Sequence, residues 1–255
     1  MVTGRDELAA FYRDHVAAHL YALGDLEEPY WSPSTWYRRG DAVVGLVSLP
    51  DVPGWTVYAV ATRDPEATLA LVGELAPTLP AGTLVTGPTG LAETVGRSRP
   101  LAWAGPHLRY HLADRGSIPA TAEGVVALGA EDGDRLRALY ATEPGAAFFV
   151  PAMVDDGGFV GVLDGDDDRR LVAAAGTHVL SESARCAAIG AVYTHPSHRG
   201  RGLGRAVTAG VVHRIAARVN TIGLNVSAAN APARRIYEGL GFVPILDYEE
   251  CELGE

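Results

Sequence analysis

The sequence of 255 residues contains no lysine, so its 21 lysine-plus-arginine residues are all arginines. Without lysine there is no side-chain amine for a Schiff base, no GKS or GKT phosphate loop and no S-x-x-K nucleophile. Cysteine is almost as scarce: Cys186 and Cys251 form neither a CxxC pair nor a spacing typical of metal ligands. We therefore expect no disulfide and no metal site built on cysteine.

The chain also lacks a run of about 18 apolar residues, the length that a membrane-spanning helix needs. Its opening stretch, MVTGRDELAAFYRDH, carries charges where a signal peptide would be apolar. The net charge of −10 argues against a nucleic-acid-binding protein, which needs a basic face to neutralise phosphates. These absences predict a cytoplasmic protein that binds neither membranes nor nucleic acids.

The order of the predicted elements indicates a tandem architecture. A hydrophobic content of 47% allows a sizeable core. Each half of the chain runs through helices, antiparallel strands and then strand–helix–strand–helix–strand, with a small polar segment at residues 114–124 between the halves. We predict a mixed α/β fold, with a mostly antiparallel sheet flanked by helices, built as two similar units over residues 1–116 and 123–255.

Two local predictions follow from the apolar spacing. Residues 5–23 predict a single helix, and its apolar face is formed by Leu8, Phe11, Val16, Leu20 and Leu23. The stretch GAAFFVPAMVDDG, residues 145–157, predicts a second helical piece early in the C-terminal unit.

Residues 195–205, HPSHRGRGLGR, separate a strand-like run, AAIGAVYT, from a helix-like run, AVTAGVVHRIAARV. The N-terminus of a helix presents unpaired N–H groups and a positive dipole end, and glycines let an anion approach the backbone closely. The dinucleotide fingerprint GxGxxG does not fit, because the spacing is GxGxG and no acidic residue follows at the expected distance. The helix has an apolar face that packs on a sheet and fixes its N-terminus, formed by Leu203, Val207, Val211, Ile215 and Val219.

This stretch resembles the acetyl-CoA signature of the GNAT superfamily of acyl-CoA-dependent N-acyltransferases, in which Gln or Arg is followed by two residues, Gly, one residue and Gly or Ala. The matching segment here is Arg199-Gly-Arg-Gly202-Leu-Gly204. Downstream, residues 230–242 match the closing N-x-x-A-x-x-x-Y-x-x-x-G-F pattern of that family. The resemblance covers roughly residues 186–243 and is closest to the branch similar to glycine N-acyltransferases. The N-terminal half carries no signature and looks like a degenerate GNAT-like unit.

The resemblance implies a set of cofactor-binding residues. The backbone of Val192 and Thr194 would pair with the pantetheine arm, and the N–H of Val192 or Tyr193 would polarise the thioester carbonyl. Asn230 would hydrogen-bond the cofactor arm, although capping of the following helix explains it equally well. The pyrophosphate would lie on the signature turn, formed by Arg199, Gly200, Arg201, Gly202, Leu203, Gly204 and Arg205.

The catalytic residues are implied less completely. Tyr237 would be the general acid that protonates the leaving thiolate, while its spacing with apolar neighbours also suits a core tyrosine. Ala188 falls near the position where many family members carry a glutamate base. His178 and Glu182, at the end of the preceding strand, are therefore the candidate bases, with deprotonation through water as the alternative.

Together these features predict an enzyme that transfers an acetyl group from acetyl-CoA to a primary amine by direct attack in a ternary complex. The acceptor would be a small amine or an amino-acid derivative, held between the two halves near Phe148, Phe149 and Met153. The alternative is a non-catalytic acyl-CoA sensor, because the strand glutamate is missing. The H-x-x-H pair His195 and His198 has no third ligand, so no metal is expected. Both monomer and homodimer remain open.

Overall fold

The computed structural model describes residues 4–49, 52, 54–165 and 167–255. Contacts divide the chain into two compact units. The first unit comprises Met1–Arg109, Val226–Asn230 and Pro244–Glu255, and the second comprises Tyr110–Asn225 and Ala231–Val243. Residues 244–255 therefore group with the first unit although they follow the second in the chain. The division into domains 1–116 and 123–255 stays a prediction.

Regular elements occur along the whole chain. The α-helices are α1 (Arg5–Arg13), α2 (Leu20–Asp25), α3 (Pro65–Leu75), α4 (Leu91–Gly96), α5 (Gly133–Tyr140), α6 (Leu203–Ile215) and α7 (Ala231–Glu238). The strands are β1 (Thr35–Arg39), β2 (Ala42–Val47), β3 (Thr56–Tyr58), β4 (Leu84–Gly87), β5 (Leu101–Leu112), β6 (Val125–Ala127), β7 (Val160–Asp164), β8 (Asp167–Ser181), β9 (Cys186–Thr194), β10 (Thr221–Ser227) and β11 (Phe242–Leu253). Short 3₁₀ helices occur at Ala76–Thr78, Arg115–Ser117, Ala130–Asp132, Pro151–Val154 and Pro196–His198.

In the first unit, β1, β2 and β3 pair antiparallel in chain order, β3 pairs parallel with β4, and β4 pairs antiparallel with the end of β11. Helix α3 begins where Asp64 accepts a hydrogen bond from the Ala67 N–H at 2.9 Å, with Pro65 as the first helical residue. Its buried side chains Leu71 and Val72 join a core with Val44, Val57 and Val85. This core is closed by the last strand, through Cys251 and Leu253.

In the second unit, β6, β7, β8 and β9 pair antiparallel in chain order, and β9 pairs parallel with β10. Helices α5 and α6 pack on these strands. The predicted fold class, a mixed α/β fold with a mostly antiparallel sheet and flanking helices, is confirmed. None of the helices in the described ranges combines the length and the apolar character that a membrane span requires.

Two local predictions were wrong. Residues 5–23 form two helices, α1 and α2, separated by turns, and the side chain of His19 at the start of α2 hydrogen-bonds Tyr58 Oη at 3.1 Å and Thr62 Oγ1 at 3.0 Å. Such tertiary contacts leave no trace in the apolar spacing, which predicts a buried face but not a change of direction. In the stretch 145–157, only Pro151–Val154 is helical, as a 3₁₀ turn.

Candidate functional site

Strand β9 has two partners along its first half and one along its second. The parallel register with β10 runs from Thr221↔Cys186 to Leu224↔Ile189. The antiparallel register with β8 continues to Ala173↔Thr194. Within the described residues, the backbone from Gly190 to Thr194 therefore has no ladder partner on the β10 side. An extended molecule that carries N–H and C=O groups can hydrogen-bond to that edge.

A β-bulge lies at the point where β9 and β10 separate. Gly190 pairs with Gly176 and Tyr193 pairs with Ala174, so that Ala191 and Val192 together oppose Ala175. Ala191 has a φ of +51°, a left-handed conformation that is uncommon for a residue with a Cβ. The bulge turns the backbone at the middle of the candidate site.

The glycine turn that follows β9 leaves its backbone open. Gly200 and Gly202 have φ values of +78° and +79°, and a Cβ on either would meet no atom within 4 Å. Helix α6 begins at Leu203, and no side chain caps its N-terminus at Gly202. The first helical hydrogen bond runs from Ala206 N to Gly202 O at 3.0 Å. The amides of residues 203–205 thus precede the first bonded turn of α6, the position from which helix N–H groups can donate to an anion.

The direction of α6 is fixed by its buried face. Val207, Val211 and Ile215 are fully buried, as the four-residue spacing predicts. A Cβ on Gly210 would lie 2.9 Å from Val125 Cγ1, so the glycine permits a close approach to β6. The helix N-terminus therefore points at a defined place beyond the end of β9.

Two of the three arginines of the turn are committed to protein groups. Arg199 donates from Nε to the Thr194 carbonyl at 3.1 Å and pairs with the Glu143 carboxylate. Arg205 donates from Nη1 to the Gly239 carbonyl at 2.7 Å, beyond the end of α7. Arg201 is exposed, and its described hydrogen bond, to Ser197 O, is long at 3.4 Å. Arg201 is therefore the side chain of the turn that is best placed to pair with a phosphate.

Residues that the sequence did not single out hold the strand end in place. Tyr193 is buried, and its Oη lies 2.8 Å from Thr142 Oγ1 and 3.3 Å from Glu143 Oε2. The Arg199 guanidinium holds the pKa of Glu143 below its usual range. Because Thr142 and Glu143 are about 50 residues from β9 in the chain, only the fold reveals this network. It holds the Tyr193 side chain in the strand segment for which the sequence resemblance implies cofactor binding.

Tyr237 lies on α7 and is 7% exposed, with its ring 6.2 Å from that of Phe242. Burial raises the pKa of Tyr237 to about 12. This phenol is a weaker acid than an ordinary tyrosine, and it stays protonated throughout the neutral range. Asn230 directly precedes α7, and its N–H donates to Ser227 O at 2.9 Å.

The two candidate bases lie in different surroundings. His178, on β8, lies against Gly190 of β9, with Nε2 3.1 Å from the Phe148 carbonyl. Burial lowers the pKa of His178, which favours the neutral imidazole. Glu182 is exposed and pairs with Arg218 at 2.6 Å. It directly follows Ser181, which pairs with Cys186 at the opposite end of β9 from the glycine turn. At about 3.3 Å per strand residue, that end is on the order of 25 Å from Thr194.

The structure also shows where the remaining predicted residues lie. Ala188 is fully buried, so the position at which the sequence resemblance would place a glutamate faces the interior. Phe149 and Met153 pack against the core of the second unit, whereas Phe148 is 44% exposed and lies edge-on to His178. His195 and His198 both hydrogen-bond Ser197. Among the described residues, no group of three histidine, cysteine or carboxylate side chains could hold a metal ion.

Comparisons with known proteins give one family match over part of the chain and a set of similar solved structures. Residues 160–251 match the family model described as FR47-like protein. No curated protein matches the chain. Solved structures are similar over most of the chain: a GNAT-family protein from Novosphingobium aromaticivorans is 24% identical, with 86% of this chain and 91% of that chain covered and a TM-score of 0.60.

Two further structures extend the likeness. A GCN5-related N-acetyltransferase from Kribbella flavida is 18% identical, covers 95% of this chain and 96% of its own, and has a TM-score of 0.62. A tandem GNAT protein from the clavulanic acid biosynthesis pathway is 15% identical, covers 98% and 96%, and has a TM-score of 0.57. At these identities the likeness establishes the fold, which is that of GNAT proteins, including a tandem one.

Proposed function

We propose that this protein is an acyl-CoA-dependent N-acyltransferase of the GNAT superfamily, similar to the glycine N-acyltransferase-like branch, that transfers an acetyl group from acetyl-CoA to a primary amine. The C-terminal domain, residues 123–255, carries the site, and residues 1–116 form a degenerate GNAT-like partner. The observation that carries the proposal is the uncapped N-terminus of α6, preceded by two open left-handed glycines, at the end of a strand whose partner diverges.

The chain's residues fit the phosphate end of acyl-CoA. The amides of residues 203–205 donate to a pyrophosphate, and Gly200 and Gly202 leave room for its oxygens. Arg201 adds a charge that no carboxylate among its described partners neutralises. Arg199 and Arg205 act differently, because their guanidinium groups hold the turn to β9 and to α7.

The edge of β9 fits the pantetheine arm and the thioester. The backbone of Val192 and Thr194 pairs with the arm where β10 has ended. The amide at the bulge, on Val192 or Tyr193, donates to the thioester carbonyl, on which negative charge develops when the amine attacks. Asn230 adds a hydrogen bond to the arm, as its position in the closing pattern implies.

Tyr237 donates a hydrogen bond toward the leaving sulfur. Because its pKa is about 12 and that of a thiol is about 8.5, full transfer from the phenol to the thiolate is uphill in the buried state. The useful contribution is a hydrogen bond that strengthens as charge accumulates on sulfur. The tyrosine remains available as this donor at every pH near neutrality.

His178 is the better-supported base. It is neutral at pH 7 because burial lowers its pKa, and it lies over Gly190, immediately before the bulge. A neutral imidazole accepts a proton from the ammonium group of the acceptor, directly or through water, and the free amine that results attacks the thioester. Glu182 lies at the far end of β9 in an ion pair, so its geometry disfavours the same role.

One observation favours a second function, that of an acyl-CoA sensor without turnover. Ala188 is buried where a carboxylate base is usual, so the strand itself supplies no base.

The acceptor in the first proposal is a small-molecule amine or amino-acid derivative, and the protein is cytoplasmic and acts as a monomer or homodimer. The sensor would bind acyl-CoA equally well and would act on none of these amines.

A screen of primary amines and amino acids with acetyl-CoA distinguishes the enzyme from the sensor. The screen measures release of the free CoA thiol. The enzyme releases thiol with at least one amine, and Tyr237→Phe lowers kcat by about ten-fold or more while binding acetyl-CoA as wild type does. A protein that binds acetyl-CoA without thiol release for any amine is the sensor. Thiol release that is unchanged in Tyr237→Phe would remove that residue from the mechanism.

A further inference from the structure

We propose that Tyr140 is a positioning residue that sets the direction of the Val192 amide toward the acyl carbonyl. This role rests on the proposed function, because it concerns the same β9 bulge. It adds a residue on α5 that lies outside the sequence signature of the site and 51 positions from its partner.

The peptide that joins Ala191 to Val192 needs an external constraint. Ala191 has a φ of +51°, whereas a residue with a Cβ favours negative φ by about 1 kcal/mol or more. Ala191 and Val192 together oppose Ala175, so a regular ladder does not fix this peptide from the β8 side. On the other side, the register with β10 has ended at Ile189.

Tyr140 supplies that constraint. Its Oη donates a buried hydrogen bond of 2.7 Å to the Ala191 carbonyl. Tyr140 is the last residue of α5, and its ring is held 4.9 Å from that of Phe149 and 6.0 Å from that of Tyr193. Burial raises the pKa of Tyr140, so the hydroxyl always carries the proton that it donates. The direction of the Ala191 carbonyl is therefore fixed from α5.

A trans peptide is planar, with its C=O and N–H on opposite sides. Since the Ala191 carbonyl points at Tyr140, the Val192 N–H of the same peptide points away from α5. A preorganised donor of this kind is worth most when it already points at the atom on which charge develops. Loss of the Tyr140 hydroxyl would leave the peptide free to rotate while the aromatic packing remained.

The test measures dissociation constants of acetyl-CoA and of CoA by calorimetry, for wild type, Tyr140→Phe and Tyr110→Phe. CoA lacks the acetyl group, and with it the acyl carbonyl, but shares the nucleotide and pantetheine parts of acetyl-CoA. Tyr110 is the matched control, because its Oη makes a hydrogen bond of the same length, 2.7 Å to Glu238, in the same unit. We expect Tyr140→Phe to weaken acetyl-CoA by about three- to ten-fold and CoA by less than two-fold, the scale of one hydrogen bond. Tyr110→Phe should change neither.

Equal losses for both ligands, or no loss for either, would overturn the role of Tyr140. Wild-type binding in the same experiment would leave the assignment of the site to acyl-CoA intact. Absence of wild-type binding to both ligands would overturn the proposed function, and this role with it.

If Tyr140→Phe fails to fold, Ala191→Gly examines the same peptide. Because Tyr140 still orients the carbonyl, both affinities should stay within about two-fold of wild type. A selective loss of acetyl-CoA there would assign the orientation to the Ala191 conformation and contradict the proposal.

Discussion

The imidazole of His178 covers Gly190 so closely that a Cβ on Gly190 would lie 2.3 Å from His178 Cε1. The absence of a side chain at Gly190 therefore allows the ring to lie flat on β9, one residue before the bulge. The same ring is held by the Phe148 carbonyl, 3.1 Å from Nε2. Strand and loop together fix the base candidate above the edge where acyl transfer would take place.

Gly190→Ala should therefore reproduce the kinetic defect of His178→Gln, because the new Cβ displaces the ring. We expect kcat to fall by about 10²-fold or more in both variants, the scale of a lost general base, with little change in acetyl-CoA affinity. Burial lowers the pKa of His178, so the acid limb of the wild-type profile should lie below the ordinary histidine value of 6.5. Rate measurements against pH check this. Glu182→Gln is the matched control, and a larger defect there than in His178→Gln would reverse the assignment.

The arginines of the turn should separate into a binding residue and a structural one. Arg201→Gln should weaken acetyl-CoA about three- to ten-fold, an effect that salt reduces because the charge is exposed. Arg205→Gln should instead lower the unfolding midpoint by a few degrees, since about 1 kcal/mol is lost with the hydrogen bond to Gly239. Calorimetric titration and thermal unfolding of both variants provide the comparison. Equal losses of affinity would show that both guanidinium groups contact the cofactor.

His19 should make the stability of the protein sensitive to acid. Burial, and after it the charge of Arg109, lowers the pKa of His19 from 6.5 to about 3. The unfolded chain therefore binds more protons between these values, and the free energy of unfolding falls as the pH drops from 6.5 toward 3. Unfolding by urea at pH 7 and pH 5 should show a smaller loss for His19→Gln than for wild type. His213→Gln, at an exposed position, should behave as wild type; a similar loss in all three proteins would exclude His19 as the cause.

The sequence predicted the parts of the site that depend on local spacing. The buried face of α6 that bears Val207 and Val211 follows from the apolar repeat. The open turn before it follows from its glycines, which have positive φ. The fold class followed from the order of helices and strands. These features are encoded over a few residues, so a linear pattern is enough to find them.

What escaped prediction depends on contacts between distant residues. Tyr140 meets Ala191, and Glu143 meets Arg199, across more than 50 positions. No local signal marks Ala191 as left-handed, because alanine rarely adopts that conformation. The separation of α1 and α2 likewise depends on the tertiary partners of His19. Glu182 looked as plausible as His178 until β8 and β9 placed the two at different points along the strand.

The measurement that tests the central claim most directly is thermal unfolding with and without acetyl-CoA, for wild type, Gly202→Glu and Gly124→Glu. Gly202 and Gly124 have φ values of +79° and +83°, and neither has an atom within 4 Å of a built Cβ, so the two substitutions carry the same strain and charge. Acetyl-CoA should raise the midpoint of wild type and of Gly124→Glu, because a ligand stabilises the state that binds it. Gly202→Glu should not respond, since its carboxylate repels the pyrophosphate. A wild-type protein that does not respond, or a Gly202→Glu variant that responds as fully as Gly124→Glu, would contradict the assignment of the glycine turn to acyl-CoA.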